Sequence, residues 1–230
     1  MKKTIKKTTI FFALFTLPMC IYAKGLTLGG TRLIYNATDK EASIPLSNAG
    51  DNTQYLIQVW VSDTNKKNET IPFIATPPLF KLGPESSDAV RVVYTSTPDL
   101  PEDRESVYLL NVRAVPAVQK TDSAKRLTVS TQNVIKLIYR PKKLSARGAI
   151  DAVDKIEVEK TNNGLIFKNS TPYTVNFGRL LINNKEVKNP GMILAFSTKN
   201  LEINPSSIRE VTFRAITDFG GLTDSKKITF

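Results

Sequence analysis

Lys136 stands in the middle of "NVIKLIYRP", a run from Asn133 to Pro141 that is otherwise rich in β-branched and apolar residues. An ammonium group is costly to bury without a partner. Such a lysine either guards a sheet edge against pairing with other chains or faces a cleft where it meets an anion. Little else in the chain can do chemistry. There is no histidine, and Cys20 is the single cysteine. The commonest general base and metal ligand is therefore missing, and so are zinc sites of the usual composition and Ser–His or Cys–His nucleophile pairs. "DFGG", Asp218 to Gly221, has the letters of a kinase motif but lacks the glycine-rich and catalytic loops that a kinase needs. The composition points away from an enzyme and gives no expectation of a cofactor or a metal.

The elements that must position Lys136 are strands. "TQYLIQVWVSD" alternates, with Tyr55, Ile57, Val59 and Val61 on one face and Leu56, Gln58 and Trp60 on the other. "AVRVVYTS", "SVYLLNVRAVP", "RLTVSTQNVIKLIYRP", "KIEVEKTNNGLIFKNS" and "REVTFRAI" are further strand-forming runs, separated by turn clusters such as "SNAGDN" and "NNKEVKNPG". Short strands with this punctuation predict β-sandwiches. "ATPP", Ala75 to Pro78, must be an edge, a bulge or a bend, because proline cannot continue a ladder. The longest run, Arg126 to Pro141, alternates in its first half, with Leu127, Val129 and Thr131 on one face. Its second half is apolar on both faces except at Lys136. One account is a terminal strand running from a solvated edge to a domain interface. The other adds that Leu127 and Val129 are presented to a partner, with Lys136 setting the register.

The basic, proline-containing stretch "RPKKLSARG" follows that run and predicts a boundary between two β domains, 24–143 and 144–230. Residues 1–23 pair a basic start with "IFFALFTLPMCIYA", which is short for a membrane span of about 20 residues and reads as a secretory signal cleaved after Ala23. Met19 is too large for the lipoprotein form of such a signal. Cleavage removes Lys2, Lys3, Lys6 and Lys7, so 32 basic and 21 acidic residues become 28 − 21 = +7. Cys20 leaves with the signal, and a hydrophobic core rather than disulfides must hold each exported domain. No other stretch predicts membrane insertion. The basic residues are scattered among acids, which argues for solubility rather than nucleic-acid binding. The sequons "NAT", "NET" and "NST" carry little weight at three letters each.

Taken in order, "TRLIY", "ATPP", "PEDRESVYLLNVRAVP", "NVIKLIYRP", "NSTPYTV" and "DFGG" resemble the periplasmic pilus-assembly chaperones of the chaperone–usher pathway, over nearly the whole mature chain. The resemblance implies two immunoglobulin-like sandwiches in a boomerang with a cleft between them, in a protein of the periplasm. It implies that Arg32 and Lys136 bind the C-terminal carboxylate of a pilin subunit. Leu127, Val129 and Thr131 would be donor-strand residues that complete the subunit's fold. Glu105, Arg140 and Asp218 would form an ionic cluster between the domains. The partners implied are pilin subunits and an outer-membrane usher, with a self-capping dimer of the free chaperone also open. The modest loop "AVQKTDSAK" favours the short-loop branch, and Thr131 is smaller and more polar than the family's usual residue. A secreted immunoglobulin-like adhesin or carbohydrate-binding module is the rival from another class. It would use exposed aromatics in end loops, whereas the mature chain's single tryptophan, Trp60, lies in a strand.

Overall fold

The computed structural model describes residues 25–50, 52–64, 70–117 and 127–230. The segment expected to be a secretory signal, 1–23, and most of the "AVQKTDSAK" loop lie outside the described residues.

The first sandwich is built from nine strands: β1 (Leu26–Leu28), β2 (Arg32–Asn36), β3 (Ala42–Asn48), β4 (Tyr55–Asp63), β5 (Phe73–Thr76), β6 (Leu79–Leu82), β7 (Ser86–Tyr94), β8 (Ser106–Pro116) and β9 (Thr131–Arg140). One sheet has the order β1-β3-β7-β5 and the other β2-β9-β8-β4-β6. The alternation in β4 holds: Ile57 and Val59 are buried while Leu56 and Gln58 face out. The prolines of "ATPP" mark the place where the chain leaves one sheet at β5 and enters the other at β6. Between the sheets, Tyr35, Phe73, Tyr94, Tyr108 and Tyr139 form an aromatic cluster within a core that also holds Leu46, Ile57, Val90, Leu110 and Leu137.

A six-residue helix, α1 (Ala146–Asp151), follows the first sandwich and starts at the end of the basic stretch. Its N-terminus is capped by Ser145, whose hydroxyl accepts from the Gly148 N–H at 3.1 Å. Gly148 lies so close to the Tyr173 ring that a Cβ there would collide with it. The second sandwich comprises β10 (Glu157–Thr161), β11 (Gly164–Lys168), β12 (Val175–Ile182), β13 (Lys185–Glu186), β14 (Met192–Ile193), β15 (Thr198–Glu202), β16 (Glu210–Ala215) and β17 (Lys226–Thr229). β10, β11 and β15 make one sheet; β13, β12, β16 and β17 make the other, with β14 also paired to β12. Its separate core centres on Phe167, Phe177 and Phe213, whose rings meet edge to face with centroids 5.4 to 6.0 Å apart.

One expectation changes. The single long strand predicted over Arg126–Pro141 is a ladder only from Thr131. β8 pairs with β9 from Ala114↔Thr131 to Ser106↔Tyr139, and Leu127–Ser130 lie beyond that ladder. Alternation alone cannot reveal where a strand's partner stops.

Candidate functional site

β9 carries the site on the face turned away from its own core. The antiparallel register with β8 is unbroken from Thr131 to Tyr139. Residues 135, 137 and 139 therefore enter the first core, and Val134, Lys136, Ile138 and Arg140 share the opposite face. Burial rises along that face, from exposed Val134 through half-buried Lys136 to buried Ile138 and Arg140. Lys136 and Thr131 accordingly point to opposite faces.

β2 is the edge strand beside β9 and runs parallel to it, with Arg32 directly opposite Lys136. Leu33 and Tyr35 take the core positions, so Arg32 and Ile34 fall on the same face as Lys136. Two cations thus stand side by side at the junction of the domains. Arg32 is buried, and its Nη1 donates to the Ile216 carbonyl of the second domain at 3.2 Å. Burial lowers the pKa of Arg32, opposed by the charge of Asp218. Burial also lowers the pKa of Lys136, and the neighbouring Arg32 charge lowers it further. Among the described residues, Lys136 has no ion-pair partner. A carboxylate arriving here would accept charge-assisted hydrogen bonds in a setting that strengthens them.

Four residues along β9, Arg140 is fully matched. Its Nε donates to Glu105 Oε1 at 2.8 Å, and Nη1 and Nη2 donate to the two oxygens of Asp218 at 2.6 and 2.9 Å. Burial raises the pKa of Glu105; Arg140 and the Thr174 N–H, which donates to Oε2 at 2.8 Å, pull it back down. The pKa of Arg140 is raised, because the bonds and charges of Asp218 and Glu105 outweigh its burial. The Glu105 N–H donates to the Pro172 carbonyl at 2.9 Å. These contacts join residues of both sandwiches. Asp218 is placed by a tight turn in which Gly220 takes a φ of +85° and donates to the Thr217 carbonyl. Phe219 at its tip is 98% exposed.

Leu127 and Val129 are 86% and 64% exposed, and Thr131 is exposed at the start of the ladder. Several contacts had no signal in the sequence. Backbone groups of Pro172, Thr174 and Ile216 carry part of the junction. Arg104 lies over the Phe196 ring, 5.1 Å from its centroid, tying the "DRES" turn to the second domain. The "NST" sequon begins at a buried asparagine: Asn169 Nδ2 donates to the carbonyls of Tyr173 and Leu194, and its Oδ1 accepts from Thr171. It shapes the loop that presents Thr174 to Glu105. Trp60 stacks under Arg113, 5.3 Å from centroid to guanidinium, on the outer face of its sheet.

Comparison with known proteins bears directly on this geometry. Residues 25–145 match the family described as pili and flagellar-assembly chaperone, PapD N-terminal domain, and residues 151–227 match the pili assembly chaperone PapD, C-terminal domain. The chain is 36% identical over 207 residues to the chaperone protein LpfB of Salmonella typhimurium, covering 88% of each chain. It is 36% identical over 209 residues to the chaperone protein FimB/FhaD of Bordetella pertussis, covering 86% of this chain and 85% of that one. Its fold matches a chain in the complex of the Salmonella enterica SafA pilin with the SafB chaperone, with a TM-score of 0.81, 29% identity and coverage of 91% and 98%. The Escherichia coli chaperone DraB matches with a TM-score of 0.78 at 30% identity, over 90% of this chain and 98% of DraB.

Proposed function

The chain belongs to the PapD-like family of pilus-assembly chaperones, and from that premise we propose that it binds pilin subunits in the periplasm by their C-terminal carboxylate and an exposed donor segment. Its activity is chaperoning rather than catalysis. The observation that carries the proposal is the register of Arg32 opposite Lys136, two cations on one face with no carboxylate matched to Lys136 among the described residues. A chain terminus is the anion that a pilin offers, and each charge-assisted bond to it contributes about 1.5–3 kcal/mol. Thr131 begins the ladder of β9, and Leu127 and Val129 continue the parity of its core stripe beyond that ladder. Each apolar side chain inserted into a subunit groove gains about 1.5–3 kcal/mol, and the unpaired backbone there supplies a ladder. The Glu105–Arg140–Asp218 cluster sets the angle between the sandwiches. Delivery of the subunit to an outer-membrane usher, and capping of the donor segment by a second copy when no subunit is bound, complete the proposal.

The test is co-expression with a candidate pilin and recovery of the soluble complex. Arg32→Ala and Lys136→Ala are expected to abolish recovery while each variant stays folded. Full recovery with both variants would sink the carboxylate anchor. Family membership decides against the free-standing adhesin or carbohydrate-binding module.

A further inference from the structure

Among the described residues, three buried side-chain polar atoms have no protein partner: Arg32 Nε, Thr174 Oγ1 and Asn176 Oδ1. They come from distant parts of the chain, Arg32 in β2, Thr174 immediately before β12 and Asn176 within it, in the second sandwich. Their residues are at least nine-tenths buried, at 8%, 9% and 2% exposure. Leaving such groups unpaired costs about 1–3 kcal/mol each, so three together demand an explanation.

All three residues line one small cavity between the domains, with a volume of ≈ 20 Å³. A water needs about 10–15 Å³ measured this way and two to four polar partners. The donor and acceptor types also fit. Arg32 Nε can only donate, Asn176 Oδ1 can only accept, and the Thr174 hydroxyl does either. Other polar groups of the wall are already engaged: Arg140 donates to both Glu105 and Asp218. The Ile216 N–H donates to the Asn176 carbonyl, and the Ile216 carbonyl accepts from Arg32 Nη1.

We propose that one trapped water bridges Arg32 Nε to Thr174 Oγ1 and Asn176 Oδ1, and that these two second-domain residues are positioning residues for the carboxylate-binding guanidinium. The inference rests on the assignment of Arg32 as an anchor. With Nε held by the water and one Nη1 bond to Ile216, the guanidinium plane is fixed from behind. Its remaining donors are left for the incoming anion. The second sandwich thus takes part in subunit capture without touching the subunit.

The experiment is NMR on the full mature protein, reading the Arg32 Nε–H signal and its cross-relaxation with water, with sodium propionate as the carboxylate probe. Expected are a slowly exchanging Nε–H that cross-relaxes with a long-lived water, and loss of that water in Thr174→Val and Asn176→Leu. Propionate affinity should fall roughly fivefold to tenfold in those two variants, the scale of one weakened bond to a charged group. Thr174→Ser should restore both signals. A fast-exchanging Nε–H with no long-lived water overturns the bridge. Unchanged propionate affinity in both variants, with affinity lost in Arg32→Ala, overturns the positioning role and leaves the anchor standing. If Arg32→Ala itself leaves affinity unchanged, the anchor fails and the positioning role fails with it, while the water signal still reports the bridge.

Discussion

Two sets of buried charge lie four residues apart on the same face of β9. At Arg140, both flanks of the guanidinium meet carboxylates, and the side chains of Arg140 and Glu105 are 3% and 1% exposed. At Lys136, the residue directly opposite is another cation, Arg32, across a parallel register, and its charge lowers the pKa of Lys136. The same chemical resource, a cation on an apolar strand, is used in opposite ways. A matched buried cation is costly to break, because removing one partner leaves the other charge uncompensated. An unmatched one is held at a cost to stability, which suits a group whose partner arrives from outside. The contrast separates a cation matched within the molecule from one left open, the distinction on which the proposed roles of Arg140 and Lys136 rest.

That contrast can be broken most severely at Arg140. Arg140→Met leaves Glu105 buried and unpaired, and denaturant unfolding should record a loss of about 3–5 kcal/mol. A loss no larger than that of an exposed charge would erase the distinction. Lys136→Met should act oppositely: no capture of a co-expressed pilin, with the free protein gaining up to about 1 kcal/mol because an unmatched half-buried charge is removed. Leu127→Ser with Val129→Ser sharpens the same point away from charge. Both side chains are exposed, so unfolding free energy should move by no more than about 0.5 kcal/mol while pilin recovery collapses.

The smallest expected effect is a pH dependence. The native pKa of Lys136 lies below its ordinary value of 10.5, so between the two the unfolded chain binds more protons than the native one. This residue's contribution to stability therefore rises with pH across that window. Carboxylate binding requires the ammonium form and has the opposite sign: propionate affinity should weaken as pH climbs through the native pKa. Lys136→Arg, which stays charged, should flatten that profile.

Lys136 was legible because a charge in an apolar strand violates the pattern around it. The two-sandwich architecture was legible from alternation and turn chemistry. Arg32, Glu105 and Asp218 were not distinguishable from ordinary surface charges by residue type, and only the order of motifs picked them out. The end of the ladder at Thr131 was hidden because it depends on where β8 stops, not on β9 itself. Thr174, Asn176 and the Ile216 carbonyl left no trace, since backbone groups and contacts between domains impose no periodicity on the chain.

The parallel pairing of β2 with β9 joins the first part of the sandwich to its last. Arg32 and Lys136 come into line only through the pairing of these two strands, which are far apart in the chain. The alignment of the two cations is therefore a product of long-range closure: a chain in which β2 and β9 have not met carries both residues but not the shared face that the proposed carboxylate anchor needs.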